Sequence, residues 1–153
     1  MDRERFKFQI PLTVRNYEVD WQGIVHNANY LHYFETGRIE YLRHLGVALD
    51  MQTIQHSAKV VLVRNEINYR SPARFDDAMI VRTRLSAIRN SSFLFEGILE
   101  LAEEGRLLAE NLAWHVWLNP GDDRPMRVPE YFREIILGFE GADLSLGDPG
   151  GPA

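Results

Sequence analysis

The chain has 153 residues, a hydrophobic fraction of 45%, a charged fraction of 25% and a formal net charge of −5. That length suits one domain with a sizeable core rather than two, and the composition is that of an ordinary soluble globular protein. No apolar run approaches the ~18 residues of a membrane span, and the amino terminus MDRERFKFQI lacks the apolar core of a signal peptide. The absence of cysteine excludes disulfides, thiolate catalysis and zinc-cysteine sites. A cytoplasmic protein is expected, and the acidic balance argues against general nucleic-acid binding.

In chain order, Phe6, Phe8, Ile10, Leu12 and Val14 alternate with more polar residues and predict a half-buried strand. A loop with Asp20 and Gly23 follows. From about Asn27 to Leu45, Tyr30, Phe34, Gly37 and Tyr41 recur at helical spacing. Arg43 and His44 in the last turn and Gly46 just beyond mark the end of that helix. Gly37 in mid-helix costs roughly 1 kcal/mol against alanine, which a close approach by another part of the backbone would offset.

Strands are then predicted for Val60–Tyr69, Met79–Ala87, Phe93–Leu101 and Leu108–Leu118, with Arg89–Ser92 and Glu103–Gly105 as turns. Trp114 and Trp117 should face opposite sides of the last of these. Pro129 opens a short helix, PEYFREIIL. Residues 1–140 are therefore expected as a single domain, and the glycine- and proline-rich stretch 141–153 as a flexible tail. Strands that follow one another without intervening helices indicate an α+β fold, with an antiparallel sheet of about five strands around one long central helix.

The chain lacks a G-x-S-x-G elbow, an H-E-x-x-H zinc motif and a glycine-rich phosphate loop. His26 and His32 are poorly spaced for a shared metal on a helix, so no metal site is expected. Asp20, just ahead of the helix start, admits two readings. It is a loop carboxylate in an Asx-turn or a cap, or it is catalytic. Open N–H groups at a helix start stabilise negative charge and can hold a carbonyl oxygen as it becomes an oxyanion. A nearby carboxylate can activate water or attack the carbonyl. Such machinery suits an activated acyl group.

The run D-W-Q-G-I-V-H-N-A-N-Y-L-H-Y-F-E-x-x-R, Asp20 to Arg38, resembles the signature of the hotdog-fold acyl-CoA thioesterases, in the branch of 4-hydroxybenzoyl-CoA thioesterase. The resemblance continues through INYRSPARFDD (Ile67–Asp77), NSSFLFEG (Asn90–Gly97) and RPMRVPEYF (Arg124–Phe132). It implies a hotdog fold, a long helix wrapped by an antiparallel sheet. It also implies a homo-oligomer, dimer or dimer of dimers, with joined sheets and active sites at the dimer interface. By position, Asp20 would be the catalytic carboxylate and the Asn27 backbone N–H the group that polarises the thioester carbonyl. Asn27 stands where some members carry histidine or tyrosine. The reaction implied is hydrolysis of an acyl-CoA thioester, with coenzyme A as part of the substrate and neither metal nor organic cofactor.

Around this pair, Gly23, His26, Tyr30 and Glu35 are the substrate-binding candidates, and Glu35 with Arg38 would otherwise form a local ion pair. Tyr30, Tyr33 and Phe34 read first as core, with Tyr30 near enough to the helix start to line an acyl pocket. Arg89, Ser91 and Ser92 are candidates for coenzyme A phosphates, which suit arginine's fork of donors. Two rivals stand beside this reading: a non-catalytic acyl-CoA-binding module, and an acyl-thioester hydratase or dehydratase using His26 as acid/base partner.

Overall fold

The structure, a computed structural model, describes residues 1–48 and 59–147. It is an α+β chain with strands β1 (Phe8–Thr13), β2 (Lys59–Tyr69), β3 (Ala78–Ile88), β4 (Ser92–Leu101), β5 (Leu107–Leu118) and β6 (Ser145–Leu146). Its α-helices among the described residues are α1 (Asn27–His44) and α2 (Glu130–Glu140). The sheet runs β1-β3-β4-β5-β2, with β6 beside β3. β1 lies antiparallel to β3, from Phe8 opposite Thr83 to Thr13 opposite Ala78. Pro11, which has no N–H to give, is tolerated because β1 ends the strand order.

Contacts among the residues group into two units. The first comprises Met1–Tyr41, Glu66–Arg84 and Glu96–Asn111. Its core gathers Val14, Tyr33, Phe34, Met79, Val81 and Leu99, so the alternation read in β1 and β3 and the helical stripe of α1 meet as expected. Gly37 and Gly97 set the spacing here. A Cβ on Gly37 would lie 2.5 Å from Thr83 Oγ1 and 2.7 Å from Val81 Cγ1, and one on Gly97 would lie 2.6 Å from Phe34 Cδ1. The close approach expected at Gly37 is thus made by side chains of β3. Two arginines of this unit share one carboxylate: Arg82 Nε donates to Glu100 Oε1 at 2.8 Å, and Arg3 reaches the same group.

The second unit comprises Leu42–Asn65, Leu85–Phe95 and the chain from Leu112 onward. Phe93, Trp117 and Phe132 pack mutually, with ring centroids 5.2–6.3 Å apart. Trp117 is buried, while Trp114 is half-buried beneath the Arg89 guanidinium at 4.7 Å, so the two tryptophans differ as the strand period requires. The end of α1 is closed at Gly46, whose φ of 75° lets its N–H reach Arg43 O and the Val47 N–H reach Leu42 O, both at 3.0 Å.

Within the stretch from Gly141, expected as a loose tail, residues 141–146 take up regular structure. Gly141–Asp143 forms a 3-10 turn, Leu144 is buried, and Ser145 and Leu146 pair in parallel with Ala87 and Ile88. One leucine and two backbone pairs suffice where composition alone indicated too little apolar surface. Residues 148–153 of that expected tail lie outside the described residues.

Candidate active site

The loop that carries Asp20 is pinned at both ends. Val19 and Val25 form an antiparallel bridge. Between them the Asp20 N–H donates to Ile24 O at 2.8 Å and the Gly23 N–H to Asp20 O at 3.0 Å. Gly23 has φ 77°, a conformation glycine adopts without strain. Asp20 Oδ1 accepts from the Gln22 N–H at 2.8 Å, so the Asx-turn is present. That bond engages one carboxylate oxygen, and among the described residues Oδ2 has no protein partner.

Glu18 ties this loop to α1. Its carbonyl accepts from the His26 N–H at 2.9 Å and from Asn29 Nδ2 at 2.8 Å. Its carboxylate accepts from the Arg15 N–H at 2.7 Å and from the Tyr33 hydroxyl at 2.8 Å. Burial, reinforced by this carboxylate, holds the Tyr33 phenol far above its ordinary range.

At the start of α1, His26 caps the helix. Its Nδ1 accepts from the Ala28 N–H at 3.1 Å and its carbonyl from the Asn29 N–H at 2.9 Å. The Asn27 N–H, first of the helix, has no acceptor among the described residues. It is the open donor left by the cap.

Asp20 and Asn27 lie on the wall of one cavity of about 460 Å³, with Ile24, Val25, Tyr30, Tyr69, Arg70, Ser71 and Pro72. Tyr30 and Tyr69 meet edge to face at 5.2 Å, and the Tyr30 hydroxyl accepts from the Ala73 N–H at 3.3 Å. Tyr69 donates to Asn27 O at 3.1 Å. Arg70 grips Glu110 Oε2 through Nε at 3.1 Å and Nη2 at 2.8 Å, and Ser71 Oγ donates to Leu107 O at 2.6 Å. The amino-terminal amine, then Arg70, holds the Glu110 carboxyl below its usual range.

Of the residues singled out from sequence, the structure brings Asp20, Asn27 and Tyr30 together. Gly23 shapes the loop and His26 caps the helix; neither is on the cavity wall. Glu35 is exposed on α1 and off the wall. Arg38 turns inward to Asn111 Oδ1 at 3.3 Å instead of pairing with Glu35, and burial lowers its pKa against the opposing pull of the Glu35 charge. Arg89 is exposed in the other unit. Ser91 and Ser92 are only 2% and 5% exposed. Tyr69, Arg70, Ser71 and Pro72 were missed as wall residues. Their signal was a polar pair ending a strand run at a proline.

The wall offers a carboxylate oxygen, an open N–H at a positive helix end and an aromatic flank. Such a site can bind a carbonyl and deliver a nucleophile to it. Among the described residues there is no cluster of three or more histidine, aspartate or glutamate side chains placed for a metal, and no helix long and apolar enough to cross a membrane.

The model of the Thioesterase-like superfamily matches residues 14–136. The chain is 28% identical over 131 residues to the chloroplastic acyl-acyl carrier protein thioesterase ATL3 of Arabidopsis thaliana, covering 86% of this chain and 68% of that one. It is 29% identical over 133 residues to the acyl-CoA thioester hydrolase YbgC of Escherichia coli O157:H7, covering 87% and 96%. A Thermus thermophilus thioesterase solved with coenzyme A and Zn superposes with a TM-score of 0.79 at 31% identity, covering 92% and 99%. The hotdog fold expected from the sequence is thereby established.

Proposed function

Since the chain belongs to the Thioesterase-like superfamily, we propose that it hydrolyses an acyl-CoA thioester to the free acid and coenzyme A, with Asp20 and the Asn27 backbone N–H as its working groups. The observation that carries this reading is that a carboxylate with one oxygen free and a helix-start N–H without an acceptor, among the described residues, line the same cavity. The thioester carbonyl oxygen would accept from the Asn27 N–H, where the helix dipole favours the charge that develops on it. Asp20 Oδ2 takes a proton from water as the water oxygen bonds to the carbonyl carbon, or adds to that carbon itself. The C–S bond then breaks and the thiolate departs, taking up a proton; on the second route water afterwards cleaves the mixed anhydride left on Asp20, releasing the acid and restoring the carboxylate. No step requires a metal or an organic cofactor.

The rest of the reading concerns binding and assembly. Arg89, exposed and held over Trp114, is the residue we assign to coenzyme A phosphates; the buried Ser91 and Ser92 are left out of that role. Self-association, as a dimer or dimer of dimers, is supported by β2, which ends the strand order and exposes Leu62 and Val63. The similarity to a plant acyl-acyl carrier protein thioesterase supports a second version in which the thioester is carried by acyl carrier protein.

The test is thiol release from a panel of aliphatic and aromatic acyl-CoAs and acyl carrier proteins, with wild type beside Asp20→Asn. Asparagine keeps the Oδ1 acceptor of the Asx-turn, so the variant should fold. Its rate should fall at least ~100-fold, the scale of lost general-base catalysis. Equal rates in both proteins would sink the Asp20 mechanism. Tight acyl-CoA binding by wild type without turnover would make the protein a binding module.

A further inference from the structure

The hydrogen bonds at the start of α1 are distributed unevenly. The peptide joining Asn27 to Ala28 is held at both of its polar ends. Its carbonyl, on Asn27, accepts from the Tyr69 hydroxyl at 3.1 Å. Its N–H, on Ala28, donates to His26 Nδ1 at 3.1 Å. The preceding peptide, joining His26 to Asn27, is held at one end only, its carbonyl accepting from the Asn29 N–H at 2.9 Å. Of the four polar groups on these two peptides, the Asn27 N–H alone lacks an acceptor among the described residues, and Asn27 lies on the wall of the Asp20 cavity.

We propose that Tyr69 and His26 are positioning residues that clamp the Asn27–Ala28 peptide and so aim the Asn27 N–H into the cavity. The proposal rests on the thioesterase reading for its catalytic consequence. The clamp is needed because this end of the helix is exposed: His26, Asn27 and Ala28 are all solvent-accessible, so packing does not fix the first peptide planes as it does within a core. A helix end left to itself frays. An oxyanion donor that wanders by a fraction of an ångström loses much of its differential hold on the transition state. Tyr69 is suited to the task because its ring is braced edge to face against Tyr30 at 5.2 Å, and Tyr30 is itself buried and bonded to Ala73. His26 acts here as an acceptor through an unprotonated Nδ1, the role that asparagine, aspartate or serine takes in most helix caps.

The test has a kinetic arm and a structural arm. Tyr69→Phe keeps the ring and removes the hydroxyl. It should lower kcat roughly 10-fold with KM within about twofold, since the loss is one of aim in the transition state rather than of ground-state binding. His26→Ala should do the same, and His26→Asn, which restores a short acceptor at the cap, should recover most of the lost kcat. Wild-type kcat in Tyr69→Phe or in His26→Ala overturns the proposal. So does a KM effect with unchanged kcat, which would make Tyr69 a residue that simply touches the ligand. In the structural arm, amide hydrogen exchange by NMR should show Ala28 protected relative to Asn27 in wild type. That protection should fall about tenfold in Tyr69→Phe and His26→Ala, the scale of one hydrogen bond. Equal exchange at Asn27 and Ala28 in wild type overturns the clamp. A wild type that hydrolyses nothing in the panel removes the thioesterase reading, and the exchange comparison then decides the clamp on its own.

Discussion

The first turn of α1 and the stretch around Phe34 and Gly37 belong to one helix and are fixed by different means. At the first turn Asn27 and Ala28 are exposed, and hydrogen bonds with Tyr69, His26 and Glu18 hold the chain. Two turns later the helix lies so close to β3 and β4 that neither Gly37 nor Gly97 has room for a Cβ. Directional bonds specify geometry without closing off a site, which a cavity open to substrate requires. Shape complementarity specifies geometry by excluding everything else, which a core requires. Position in this unit is therefore controlled in polar form beside the cavity and in apolar form in the core.

The comparison breaks most visibly at Gly97. An alanine there would place Cβ 2.6 Å and 2.8 Å from two atoms of the Phe34 ring, which is 2% exposed and has little room to move. Gly97→Ala should destabilise the fold by about 1–3 kcal/mol, the cost of overpacking a core, read as a lower urea midpoint with unchanged m-value. An unchanged midpoint would mean that this part of the helix is not held by shape.

Tyr33 lies between the two regimes, buried on α1 while its hydroxyl serves the loop through Glu18. Tyr33→Phe removes a hydrogen bond to a charged group and should cost about 1.5–2 kcal/mol. Its pH signature is more specific. Burial, with Glu18 second, keeps the folded phenol protonated above the ordinary tyrosine pKa of 10.0. Above that pH the unfolded chain releases a proton that the folded chain retains, so stability falls as pH rises, and below it the contribution is fully present. Tyr30 and Tyr131 are shifted in the same direction by burial, so in Tyr33→Phe the alkaline slope of a denaturation series should shrink without vanishing. An identical slope in both proteins would place Tyr33 outside that linkage.

How much of this was legible depended on whether a residue's role is local. The helix from Asn27, its end at Gly46, the alternation of β1 and the Asx-turn at Asp20 all arise from neighbours in sequence, and all were readable. The wall formed by Tyr69 to Pro72 arises from chain some forty residues beyond Asn27, as the separation of the Tyr69–Asn27 bond shows, and no period announces it. Ser91 and Ser92 are buried beside an exposed Arg89 in one polar turn, a split that the local pattern does not encode. His26 was weighed as an acid/base group or ligand contact, and its capping bond to Ala28 reflects a ring orientation that sequence does not encode. Residues 141–147 looked loose by composition, but pairing with β3 depends on backbone groups that composition does not count.

Gly37→Ala is the finest probe of the contrast, because two effects oppose each other at one atom. The added methyl would meet Thr83 Oγ1 at 2.5 Å and Val81 Cγ1 at 2.7 Å, both on β-branched side chains with stiff χ1 angles. Overpacking of that kind costs about 1–3 kcal/mol. Alanine in place of glycine inside a helix returns about 1 kcal/mol through propensity. The net expectation is a loss of about 1 kcal/mol, smaller than at Gly97, where a strand position gains nothing from helix propensity. Val81→Ala should ease the clash from one side, so the double variant would be more stable than the sum of the two single changes implies. Strict additivity would show that Val81 gives way without cost and that Thr83 alone on β3 resists the added methyl.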